Sequence, residues 1–255
     1  MKIFLTVAAF LGFSICTYGQ LITFSPNFPT ETDNITIVYD AAKGSPGLKD
    51  CGCDVYIHTG VITDKSTGPA DWKYVKHSSF NTPFNDVKMS SLGNNKHQIT
   101  INNPRSFYGV PVTDKILKIS LVFRNADGSK EGKNTDFSDI YLPIYQANEF
   151  AVRFTSPALQ PKFNPVTETI SKQIGDQINV SAVTSKNATI SFSLNNTSFA
   201  NGAAINTLTG NGNITSSGLQ EVKVNANDGT TTKEESFTFL VNSAVVVQDL
   251  PTGIK

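Results

Sequence analysis

Three histidines, two closely spaced cysteines, a few carboxylate pairs and one aromatic set are the residues of this chain whose types and spacing bear on chemistry. His58, His77 and His97 could each act as a general base. None accompanies a Gly-x-Ser-x-Gly turn, and the chain has no His-Glu-x-x-His pair and no Gly-rich loop ending in Lys-Ser/Thr to cradle phosphate. Cys51 and Cys53 flank Gly52. Zinc would need further ligands beside them, with His58 the one plausible neighbour, and a bridge across a single residue is geometrically demanding although glycine eases it. Free or locally bridged thiols are the expectation. Asp136 with Asp139, and Asp127 with Glu131, are close enough in sequence to suggest paired carboxylates. Glycoside hydrolysis requires such a pair to face each other at about 5–10 Å, and a polar loop rich in Gly, Lys and Asn is where solvated charges belong. Asn125, Asp127 and Glu131 alternate like calcium ligands, without the usual register or a second acidic ligand. No catalytic residue, metal or cofactor is therefore expected.

The aromatic set is more informative. Tyr56, His58, Trp72 and Tyr74 fall in neighbouring strand-like segments, and Trp72 is the single tryptophan. Sugar rings offer apolar C–H faces edged by hydroxyls, so their binding sites pair a flat aromatic platform with polar side chains at its rim. A lone tryptophan in a β-sandwich also serves as core, with Tyr56 as its support. Both readings stay open at this point.

The elements that must position these residues are short strands. Leu21–Phe24, Ile35–Tyr39, Asp54–His58, Trp72–Val75, Val87–Met89, His97–Ile101, Ile116–Phe123 and Ile140–Tyr145 are apolar-alternating or apolar runs, spaced by Pro, Asn and Gly turns. Alternation in Trp72–Val75 puts Trp72 and Tyr74 on one face. Farther on, Val152–Phe154, Gln177–Ala182, Ala188–Leu194, Gln220–Ala226 and Glu235–Val241 read as strands in a stretch richer in Thr, Ser, Asn and Gly. Asn227-Asp228-Gly229 marks a hairpin, because Asp-Gly tolerates the positive φ that a tight turn demands. No useful helical period appears after the N-terminus. The prediction is an all-β chain of two consecutive antiparallel β-sandwich, immunoglobulin-like domains, at 20–146 and 147–247, with Gln146–Glu149 as a short polar joint.

Lys2 precedes an apolar run from Ile3 to Phe13, and small or polar residues lead to Gly19. That order predicts a signal peptide over 1–19, cleaved to leave Gln20, and export to the periplasm, cell surface or medium. Cys16 would suit a lipoprotein signal, but Ile15 stands where a small residue belongs. The run falls short of the about 20 apolar residues a bilayer span needs, so no transmembrane segment is expected. Basic and acidic residues number 21 each, and loss of Lys2 leaves a net charge of −1. Such a chain has no electrostatic footprint for nucleic acid. Hydrophobic content of 39% against 16% charged is ample for packed cores.

Asp54–Thr63, Ser66-Thr67-Gly68 with Asp71–Val75, Pro104–Pro111 and Val122–Gly128 resemble the N-terminal modules of secreted α-amylase-family glycoside hydrolases from Bacteroidota. The first module is also similar to starch-binding sandwiches, which carry a tyrosine or histidine and a tryptophan on their glucan-facing surface. By position, the resemblance implies α-glucan contacts at His58, Trp72, Tyr74 and Tyr56. Asp249–Lys255 resembles the junction that in such enzymes leads toward the catalytic barrel, whose carboxylates have no counterpart here. The implied role is a non-catalytic accessory region that binds α-glucan or positions a downstream catalytic domain, with 248–255 beginning a linker. A purely structural or interaction module, and a free-standing surface glycan-binding protein, are the alternatives.

Overall fold

A computed structural model describes residues 20–242. The expected signal peptide at 1–19, the end of the second module and the junction at 248–255 lie outside them. Strands β1 (Ile22–Ser25), β2 (Asn34–Asp40), β3 (Tyr56–Thr63), β4 (Ser90–Gly93), β5 (Lys96–Asn102), β6 (Ile116–Arg124), β7 (Glu131–Gly132) and β8 (Ile140–Pro143) build the first half. One short helix, α1 (Pro104–Tyr108), is capped by Asn103, whose side chain accepts from the Ser106 amide, and ends at Gly109 with φ +70°.

These strands form two antiparallel sheets, ordered β1-β2-β5-β4 and β3-β6-β7, with β8 also on β6. Alternation sends Ile35, Ile37, Ile99 and Ile101 of one sheet, and Ile57, Val61, Ile119, Leu121 and Phe123 of the other, into a shared core. Tyr39 and Phe123 stack across the layers at 3.8 Å between ring centroids.

The second half comprises β9 (Val152–Ser156), β10 (Thr167–Glu168), β11 (Gln177–Leu194), β12 (Thr197–Asn213), β13 (Gly218–Asn227) and β14 (Thr232–Val241). They make a six-stranded sheet, β10-β14-β13-β11-β12 with β9 on β11, antiparallel except where β10 runs along β14. Its core is separate and centres on Val180, Ile190, Phe192, Val224 and Phe239. The all-β, tandem sandwich architecture is that expected from strand spacing.

Three local expectations are corrected. Trp72–Val75 is not a regular strand: only Lys73 bridges to Val61, and Tyr74 sits at φ +49°. Val87–Met89 begins in a 3-10 turn, Asn85–Val87. Gln177–Ala182 and Ala188–Leu194 are one 18-residue strand, bent where the register to β12 shifts between Val183 and Ala188.

Candidate functional site

The site is built on the face of the β3–β6–β8 sheet that points away from the first core. Register sets Tyr56 opposite Arg124, His58 opposite Val122, Gly60 opposite Ser120 and Ser120 opposite Tyr141. A second layer covers this face. The chain from Lys73 to Lys76 hydrogen-bonds to Val61 and Thr59 along the free edge of β3, and Met89 donates to Val55 near its start. Gly60 makes the close approach feasible, since a Cβ there would lie 3.0 Å from the Lys73 carbonyl oxygen.

Within this layer His58 and Trp72 are brought together. Their rings stack at 5.9 Å with 26° between planes, and Phe80 meets His58 edge-on at 5.1 Å. Arg124, buried to 1% exposure, lies over both Tyr56 and Phe80 at 5.4 and 5.6 Å. Its guanidinium donates to the carbonyls of Asn125, Ala126 and Thr82. Tyr56 is itself buried at 5% exposure, with Lys88 over its ring at 5.9 Å. Burial, and then the Arg124 charge, lower the His58 pKa.

Tyr74 goes elsewhere. Its left-handed backbone breaks the alternation, so the side chain packs against the core and its hydroxyl donates to Asp114 Oδ2 at 2.8 Å. Lys65 first, then Tyr74, hold the Asp114 carboxyl down to about 2. Of the four predicted residues, His58 and Trp72 are in mutual contact, Tyr56 joins them through Arg124 and Phe80, and Tyr74 is turned away.

Beside this stack is an open groove of about 440 Å³, lined by the segments 69–70, 136–141 and 162–166. Phe137, 67% exposed, Phe163 and the ring of Tyr141 supply its apolar surface. Asp136, Asp139, Asn164 and Lys162 supply polar groups. Tyr141 Oη donates to the Pro69 carbonyl at 2.8 Å, which ties the groove to the segment carrying Trp72. Tyr141 and Phe163 meet edge-on at 5.3 Å, and Lys118 lies 4.8 Å from the Phe163 centroid. Lys162 pairs with Asp136 and, with Ser138, holds that carboxyl far below its ordinary range.

Sequence reasoning placed Asp136 and Asp139 in a solvated loop and did not single out Phe137 or Phe163. Their signal was faint: Asp-Phe-Ser-Asp and Lys-Phe-Asn-Pro each set one phenylalanine among polar residues. The other chemistry-bearing groups are spent locally. His77 stacks on Phe84 at 3.8 Å and contacts Asp86 at 2.8 Å, while His97 lies beside Tyr39. Asp127 accepts from the Ser129 amide and hydroxyl, closing its own turn, and Glu131 pairs with Lys133 at 3.2 Å. Cys51 and Cys53 form a disulfide. Among the described residues no three His, Cys, Asp or Glu side chains gather as a metal site.

Residues 22–131 match a family described as Domain of unknown function (DUF8578). No curated protein matches the chain. Solved structures similar to it include fibronectin(III)-like modules of Clostridium thermocellum CbhA, at 12% identity over 89% of this chain and 97% of that one, with a TM-score of 0.27. The D0-D1 domain of intimin is 10% identical over 86% and 97%, with a TM-score of 0.39. The BSP domain of a biofilm-associated protein is 11% identical over 88% and 30%, with a TM-score of 0.34. The sheets and the two cores identify the fold as a tandem of immunoglobulin-like β-sandwiches.

Proposed function

We propose that this chain is a non-catalytic accessory region of an exported carbohydrate-active protein, and that it holds polysaccharide in the Phe137–Tyr141–Phe163 groove. The observation that carries this reading is Phe137, a 67% exposed ring beside Asp139, Asn164 and Lys162 in one groove. An exposed ring edged by hydrogen-bonding groups suits a pyranose face. His58, Trp72 and Tyr56 then support the groove wall from behind, and Tyr74 anchors the covering segment. The resemblance of Asp54–Thr63 and Asp71–Val75 to amylase-linked modules favours α-glucan as the ligand and a tethered catalytic domain as the partner. A weak site of this kind raises the local concentration of substrate near that domain without new chemistry.

Affinity electrophoresis in starch-containing gels tests the reading with the parent, Phe137→Ala and Trp72→Ala. Starch should retard the parent and release Phe137→Ala, whose exposed side chain leaves folding intact. Equal migration of the parent with and without starch would remove the sugar site. A second reading, an interaction module without a sugar site, is favoured by the burial of Tyr56 and the engagement of the Tyr74 hydroxyl. The same gel separates the two.

A further inference from the structure

Cys51-Gly52-Cys53 closes a disulfide across a sequence separation of two residues, and its surroundings leave it little structural work. A disulfide stabilises chiefly by removing loop freedom from the unfolded chain, and a loop with one residue inside it has little to remove. The segment is also anchored without the bridge. Leu48 and Val55, on either side, are buried in the first core at 1% and 0% exposure. The Asp50 amide donates to Asn95 Oδ1 and the Asn95 side-chain amide donates back to Asp50 Oδ1, both at 2.7 Å. Met89 donates to the Val55 carbonyl at 2.8 Å.

Three features suit the bridge to exchange. The turn that presents it holds Asp50 at φ +54° and Gly52 at φ +60°, and at Asp50, a non-glycine residue, that left-handed backbone costs free energy. The bridge is reachable: Cys51 and Cys53 are half-buried, Gly52 between them is exposed, and a Cβ on Gly52 would meet nothing within 4 Å. The sulfurs are not equivalent, because the Cys53 amide donates to Cys51 Sγ at 3.2 Å. Negative charge on the sulfur strengthens such a bond, which makes Cys51 the better leaving thiolate and Cys53 Sγ the atom attacked. We propose that Cys51-Gly52-Cys53 is a thiol–disulfide exchange site whose co-reactant is a dithiol. A thiolate of the dithiol attacks Cys53 Sγ to form a mixed disulfide; the Cys51–Cys53 bond breaks, and Cys51 leaves as thiolate and takes up the proton that the attacking thiol gave to water. The second thiol of the dithiol, as thiolate, then attacks its partner sulfur in the mixed disulfide, and Cys53 leaves and is protonated in turn. Two electrons and two protons pass from the dithiol, which is oxidised, to the cysteine pair, which is reduced. A monothiol does not suffice, since Cys51 stays beside the mixed disulfide at high effective concentration and expels it. Only an attacker that carries its own second thiol competes with that reversal.

The test treats the purified, oxidised chain under native conditions with dithiothreitol or with 2-mercaptoethanol at equal thiol concentration, quenches with iodoacetamide and reads the cysteines by mass spectrometry. Dithiothreitol should open the bridge at least about tenfold faster than the monothiol, with the circular dichroism of the folded chain retained. Peptide mapping of the 2-mercaptoethanol reaction should place the mixed disulfide on Cys53. Cys51→Ser, loaded with 2-hydroxyethyl disulfide, should keep its Cys53 adduct, because the thiolate that expels it in the parent is gone. A bridge that resists dithiothreitol until urea unfolds the chain overturns the proposal, and so does unfolding on reduction, which would make the bridge a structural staple. Equal rates with the two reagents, or a mixed disulfide on Cys51, overturn it as well.

Discussion

Tyr74 illustrates how a single dihedral redirects chemistry. Strand alternation would set its ring beside Trp72, but φ of +49° turns it inward, where its hydroxyl reaches a carboxylate already charged by Lys65. Tyr74→Phe should lower the urea midpoint, because it removes a charge-assisted hydrogen bond to Asp114; an unchanged midpoint would show the contact to be idle. His58 makes a prediction of the same sign as Asp114, in a higher pH window. Burial lowers the pKa of His58 and of His97. The unfolded chain therefore binds protons that the folded chain refuses, and stability falls as pH drops below about 6.5 through the lower folded values. Asp114 contributes stability that is present above its ordinary 3.8 and is lost only as pH falls toward about 2. Urea midpoints at pH 7.5 and 5.5 should differ, and His58→Gln should narrow the gap. Equal midpoints in the parent would contradict the assignment.

At the scale of elements, the apolar strands were legible because their buried faces repeat every second residue: Ile35-Ile37-Tyr39 and Ile119-Leu121-Phe123 face one another across the first core. β12 was not legible. Its apolar residues are sparse, its remaining positions are Asn, Thr, Ser, Gly and Ala, and such a strand is held by its ladder to β11 more than by burial. The Asn195-Asn196 turn that precedes it, with both residues at positive φ, was its one local sign. The groove was hidden for a related reason. Its walls come from segments 136–141 and 162–166, and only tertiary structure sets them opposite each other. β7 supplies a test of packing at this scale. A Cβ on Gly132 would fall 2.0 Å from Tyr39 Oη inside the first core. Gly132→Ala should therefore destabilise by about 1–3 kcal/mol through overpacking, measured as a lowered urea midpoint. A variant as stable as the parent would mean that Tyr39 yields freely.

Across the whole molecule two cores are joined by a short connection and a few specific contacts. Tyr141 meets Phe163 edge-on at 5.3 Å, Arg153 lies 4.5 Å from the Phe24 ring, and the Tyr141 amide donates to Pro161 at 2.8 Å. Separate cores with so small a seam predict two calorimetric transitions rather than one, and Arg153→Ala should draw them farther apart; a single transition in both proteins would contradict that. The groove lies along the same seam, so the polysaccharide reading belongs to this scale as well. Trp72 is the single tryptophan and sits two residues from Ala70 in the groove wall, which makes its fluorescence a reporter of occupancy. The decisive measurement is a titration of Trp72 emission with a linear malto-oligosaccharide, for the parent and for Phe137→Ala. A saturable change in the parent, weakened at least tenfold in the variant, is the predicted result; no saturable change in the parent, or the same curve for both proteins, would contradict it.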